Sequence, residues 1–208
     1  LDTGRLVRPG GALDYTEQMD RAALWNRGTE TFHWTNVPGD YGGLFWCVPG
    51  SFDMGLSEGS WEVVARHGLE YTPMKRTFEV RAGETTTVDI RFERWTNMQK
   101  QGWYAGDDHV HSRILSDADA DRLLAWAEAE GIHVVNIMKM GDHLRTYFEQ
   151  RGFGPGYRVR RGNHVIVPGQ EDPRWVMGHA IGLNLQSMVR DTSRYVLNDW
   201  VADYLVTF

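Results

Sequence analysis

The chain has 208 residues, 41% hydrophobic and 24% charged, with a formal net charge of −6. That length holds one large or two small domains, and the balance is ordinary for a globular protein. A net negative charge argues against a nucleic-acid partner, no run reaches the ~18 apolar residues of a membrane span, and the single cysteine, Cys47, excludes an internal disulfide framework.

Residues 1–50 are rich in Gly and aromatic residues (Trp25, Trp34, Trp46), and Tyr15–Trp25 reads as a short helix. Cys47 lies in the apolar run Leu44–Val48, which reads as a small buried hydrophobe and not a nucleophile. Strand signals follow in Trp61–Arg66, Arg76–Arg81 and Thr85–Phe92. In the last, Thr86, Val88, Ile90 and Phe92 alternate onto one face. Short strands separated by Gly turns predict a β-sandwich.

The pattern changes between Arg94 and Gly102. Ser116 is a helix N-cap signal, Asp117 and Asp119 are acidic in the first turn, and Gly131 stops the helix predicted over Ala118–Glu130. Ile132–Met138 reads as a buried strand, with His133 a hydrogen-bonded core histidine. Asp142–Arg151 reads as a helix or turn. Val165–Val167 reads as a short strand closed by Pro168-Gly169, His179–Leu185 as a further apolar run, and Asn198–Val206 as the start of a helix. Strands alternating with helices predict a parallel sheet.

The most informative run is Gly106-Asp107-Asp108-His109-Val110-His111. A strand places residues i and i+2 on one face, roughly 6.7 Å apart, so two imidazoles can close on one divalent ion. In a parallel sheet, strand ends of equal polarity lie together. His109, His111, His143, Glu171 and His179 would then converge on one rim as a nitrogen and oxygen donor set for a divalent metal.

The motifs Gly106-Asp107-x-His109-x-His111, Ser116-Asp117, Asp142-His143, Pro168-Gly169-x-Glu171 and Gly178-His179 resemble, in order, those of the polymerase-and-histidinol-phosphatase (PHP) metallohydrolases. Their spacing resembles the carbaryl-hydrolase-like (CehA/McbA) branch. Residues 51–95 are similar to the carboxypeptidase-regulatory β-sandwich that often precedes such domains. The resemblance implies an α+β protein: an N-terminal β-sandwich over 1–98, then a partial PHP-type (β/α) barrel over 99–208.

It implies one to three divalent ions (Zn, Mn or Fe). His109 and His111 would bind the first, Glu171 would bridge to a second held by His179, and Asp117 and His143 would bind a third. Asp107 and Asp142 would orient imidazoles, with Glu171 and Asp107 the residues nearest the chemistry. A metal-bound hydroxide would cleave an amide, carbamate, ester or phosphoester in a small-molecule substrate.

The sequence departs from the family pattern in Asp108, in Gly141 before Asp142, and in lacking a later Asp-x-His motif. The chain opens at Leu1 without an initiator Met and is expected to be a fragment or processed form, its site completed by a further segment or a second copy. A secreted or periplasmic location is compatible with the cysteine count. The rival reading is a non-catalytic binding or structural module with a degenerate metal site. Arg158, Arg160 and Arg161 read as a solvated loop, Trp175 as a residue lining the site, and Gly152–Gly156 as a turn or lid.

Overall fold

The computed structural model describes residues 47–48, 50–141, 146–174 and 178–189. The readings at Tyr15–Trp25, Asp142, His143, Trp175 and Asn198–Val206 lie outside these residues. Among the described residues no helix is long and apolar enough to cross a membrane.

Strand β1 (Gly59–Ala65) pairs antiparallel with β2 (Met74–Val80), from Gly59 opposite Val80 to Ala65 opposite Met74. Thr85–Phe92 has the alternation of a strand but joins no ladder. Its contacts to β2 run through side chains instead. Arg76 Nη1 donates to the Asp89 carbonyl at 3.1 Å, and Thr86 Oγ1 donates to the Glu79 carbonyl at 3.0 Å. Among the described residues this part therefore holds one two-stranded sheet, and the second sheet of the expected sandwich is not among them.

Among the described residues the second part is a curled, half-barrel sheet with one α-helix. Its elements are β3 (Gly106–Val110), α1 (Asp117–Ala129), β4 (Val134–Gly141), β5 (Thr146–Tyr147), β6 (Val159–Arg161), β7 (His164–Arg174) and β8 (Gly178–Gly182). β3, β4 and β7 run parallel, in that order. β5 is antiparallel to β4, and both β6 and β8 are antiparallel to β7. The sheet is thus mixed, not wholly parallel as the sequence predicts. β5 also replaces the helix or turn expected in Asp142–Arg151. Tyr147 pairs with Met140 there, as its β-forming character favours.

β7 runs straight through Pro168-Gly169, the expected strand end. Gln170 lies opposite Lys139 on one side and Gly182 on the other, so β6 and β8 occupy the same edge of β7 in succession. Pro168 falls in the gap between them, where no ladder donor is needed. The Pro168 carbonyl on that edge accepts from Leu185 N at 3.0 Å.

Helix α1 starts as its sequence dictates. Ser116 Oγ accepts from Asp119 N at 3.2 Å, and Asp119 Oδ2 accepts from Ser116 N at 2.9 Å and Leu115 N at 3.0 Å, a reciprocal capping box. Gly131 ends it in the left-handed conformation, with φ of 68°. Its apolar face, Ala120, Leu123, Leu124 and Ala127, is buried against Val135, Ile137 and Ile166 of the sheet, with Ile114 and Val110 alongside. Each fully buried aliphatic side chain of this kind stabilises by about 1.5–3 kcal/mol. His67 Nδ1 donates to the Ala129 carbonyl at 3.0 Å, fastening the segment after β1 to the C-terminal end of α1.

His133 is buried, as expected. Its Nδ1 accepts from Ala105 N at 3.2 Å, its Nε2 lies 2.7 Å from the Gln99 amide, and its ring stacks on His164. Burial, with the neighbouring His164, lowers its pKa below the ordinary histidine value. Cys47 is buried too, and burial pushes its thiol up to about 11, with the carboxylates of Glu130 and Glu128 adding to the shift. It is no nucleophile at neutral pH.

Candidate metal centre

Register fixes which side chains meet. Partners across a ladder point the same way, and neighbours along a strand alternate. Val135, Ile137 and Ile166 face α1. Asn136 and Met138 of β4, with Val167, Gly169 and Glu171 of β7, therefore share the opposite face.

β3 enters in step with β4, Gly106 opposite Val134 and Asp107 opposite Val135. It leaves one residue out of step, with Val110 opposite Ile137. Three steps along β3 match two along β4, which is a β-bulge. Counted regularly from Asp107, His109 would lie on the α1 side. Counted from Val110, which packs against the core, His109 and His111 lie on the Glu171 side.

The three side chains meet there. His109 Nε2 is 2.7 Å and His111 Nε2 is 2.5 Å from the same oxygen, Glu171 Oε2. A carboxylate only accepts, so each Nε2 carries a proton and donates it. The two rings are edge to face, 4.9 Å between centroids. Glu171 is buried while both imidazoles are about a third exposed, so the group is anchored inside and open outside. Burial alone would push the Glu171 carboxyl up. The bonds from His111 and His109 outweigh it and hold the group down to about 2.

These residues fit a divalent cation. Their ligand atoms all lie within 4.8 Å of one another. At 2.7 and 2.5 Å the nitrogens lie closer to the shared oxygen than ligands around a divalent ion stand to one another, so the group would open slightly to admit an ion in place of the two shared protons. Two imidazoles and a carboxylate are a donor set that could hold a divalent metal ion.

Two flanking residues escape sequence reasoning. Phe148, buried and with φ of 53°, stacks flat on the His111 ring at 4.5 Å and 13°. Nothing in the sequence ties its ring to His111. Asn136 is buried, and its Nδ2 donates to the Asp107 carbonyl at 3.1 Å. A polar residue inside the apolar run Val134–Met138 was the available signal.

The other expected site residues are placed as follows. Asp107 Oδ1 accepts from His109 N at 3.0 Å, and among the described residues it makes no hydrogen bond to an imidazole. Asp117 pairs with Arg151, Nη1 to Oδ1 at 2.6 Å, in the first turn of α1 and is not among the three converging groups. His179 stands in β8 opposite Pro173, while Ile181 stands opposite Glu171. Because β8 is antiparallel to β7, His179 and Glu171 do not occupy strand ends of equal polarity. The His179 side chain and His143 lie outside the described residues. Of the basic run expected as a loop, Arg160 and Arg161 lie in β6; Arg161 pairs with Asp121 and Glu128 on α1, and Arg158 bonds Asn184.

Compared with known proteins, the chain matches no family model, no curated protein and no solved structure.

Proposed function

We propose that this chain is a metal-dependent hydrolase of the PHP type, with His109, His111 and Glu171 as its metal ligands. One observation carries the reading: two imidazole nitrogens, one in the bulged strand β3 and one just past its end, converge on a single oxygen of a buried glutamate from another strand. A solvated surface pair of histidines has no reason to find a buried carboxylate.

The donor set favours catalysis over a structural role. Among the described residues it is two histidines and a glutamate, a combination found in catalytic zinc sites, whereas structural sites are built mainly from cysteine with histidine. Glu171 supplies the fixed negative charge from inside the sheet. The two imidazoles, each about a third exposed, line the open side, where an amide, carbamate, ester or phosphoester can approach. A divalent ion bound to such a set supplies Lewis acidity and a hydroxide nucleophile at neutral pH.

The test is hydrolysis of aryl esters and phosphoesters by protein loaded with Zn or Mn. Turnover lost on chelation and in His109→Ala supports the reading. Metal uptake without turnover on any such substrate returns the chain to a non-catalytic module. No uptake of either ion removes the metal itself.

A further inference from the structure

We propose that Asn136 is a positioning residue for the metal centre: with Asp107 it clamps the β3 bulge, and the bulge turns His109 and His111 onto the Glu171 face. The proposal rests on the metal reading above.

The extra residue disturbs the ladder between Asp107 and Val110. A bulge leaves backbone groups without their regular partners, and a buried group left so is costly. Two side-chain bonds meet this need at the bulge itself. The Asn136 amide donates to the Asp107 carbonyl at 3.1 Å, and the Asp107 carboxylate accepts from His109 N at 3.0 Å. Asn136 sits in β4 between Val135 and Ile137, the residues opposite Asp107 and Val110, so it stands directly across from the irregular stretch. An apolar residue at 136 would continue the core pattern of Val134–Met138 but offer no donor. The strand would then gain by closing into regular pairing, and a one-residue slip sends alternate side chains to the other face. Asn136 thus acts on the metal only through His109 and His111.

The experiment is calorimetric titration of Zn into wild type, Asn136→Leu, Asp107→Ala and Asp107→Asn, well below each melting midpoint, with the visible spectrum of bound Co as a second readout. Loss of outer partners of metal ligands typically costs 10- to 100-fold in affinity. Asn136→Leu and Asp107→Ala are expected to bind Zn at least about tenfold more weakly, with an altered Co spectrum. Asp107→Asn keeps an acceptor oxygen and is expected to stay close to wild type. A purely structural role lowers the melting midpoint but leaves affinity and spectrum of the folded protein unchanged, and that result for either residue overturns the proposal. If Asn136→Leu does not fold, Asp107→Ala decides. If wild type itself binds no Zn, the metal reading fails, a separate outcome from tight binding by the variants.

Discussion

The His111 imidazole lies flat against the Phe148 ring, 4.5 Å between centroids, and Phe148 holds this place with a left-handed backbone, φ 53°. A bulky residue in that region is strained by roughly 1–2 kcal/mol, and here the strain sits beside a candidate metal ligand. Phe148→Ala is expected to destabilise by about 3–5 kcal/mol through loss of the buried ring. Phe148→Gly loses the same ring but relieves the backbone, so it should be the milder change by about 1 kcal/mol. Urea unfolding of the two variants measures the difference. Equal midpoints would mean that the backbone stores no strain.

Metal should stabilise the folded chain by mass action. At free ion 100-fold above Kd the gain is about 2.7 kcal/mol. Thermal unfolding with and without Zn should show this as a raised midpoint that chelator reverses. Glu171→Gln keeps the shape but removes the charge of the buried ligand, and His111→Ala removes a nitrogen. Both should lose the Zn-dependent shift.

Asp119 makes the start of α1 sensitive to acid. Burial would raise its pKa, but the bonds from Leu115 N, the Ser116 side chain and backbone, and Arg122 outweigh it and hold it below the ordinary carboxylate value. A pKa depressed in the folded state gives stability that is present above the unfolded value and is lost as pH falls through the folded one. Asp119→Ala should therefore cost about 1–2 kcal/mol near pH 7. The gap to wild type should narrow as the solution is acidified below the usual carboxylate range. Chemical denaturation at a series of pH values reads this directly, and a constant gap would contradict it.

Gly169 sets how closely β8 lies on β7. A Cβ there would stand 2.7 Å from the Gly182 carbonyl oxygen and 2.7 Å from Met138 Cε. The methionine tip can move, but the carbonyl is backbone in the neighbouring strand. Gly169→Ala is expected to cost about 1–3 kcal/mol and to loosen β8, seen as faster amide exchange over Gly178–Gly182. Shortening Met138 in the same variant should not restore it. Full rescue by Met138→Val would show that the side chain, not the strand, is the obstacle.

The sequence alone determined what depends on neighbours in the chain. Ser116 and Asp119 stand three residues apart, so their capping box was legible, and with Gly131 it bounded α1 within a residue. The partial alternation of Trp61–Arg66 and the strand-like run Arg76–Arg81 marked β1 and β2. His109, His111 and Glu171 were legible as donor types in order. Tertiary structure decided what depends on register and distant partners. Thr85–Phe92 has the right period but no ladder, because alternation records which side is buried and not whether a strand lies alongside. Pro168 looked like a strand end because the gap between β6 and β8 lies in other segments. The bulge in β3 was invisible for the same reason: one extra residue has meaning only against the strand it is paired with, and that pairing alone carries His109 and His111 to the side where Glu171 waits.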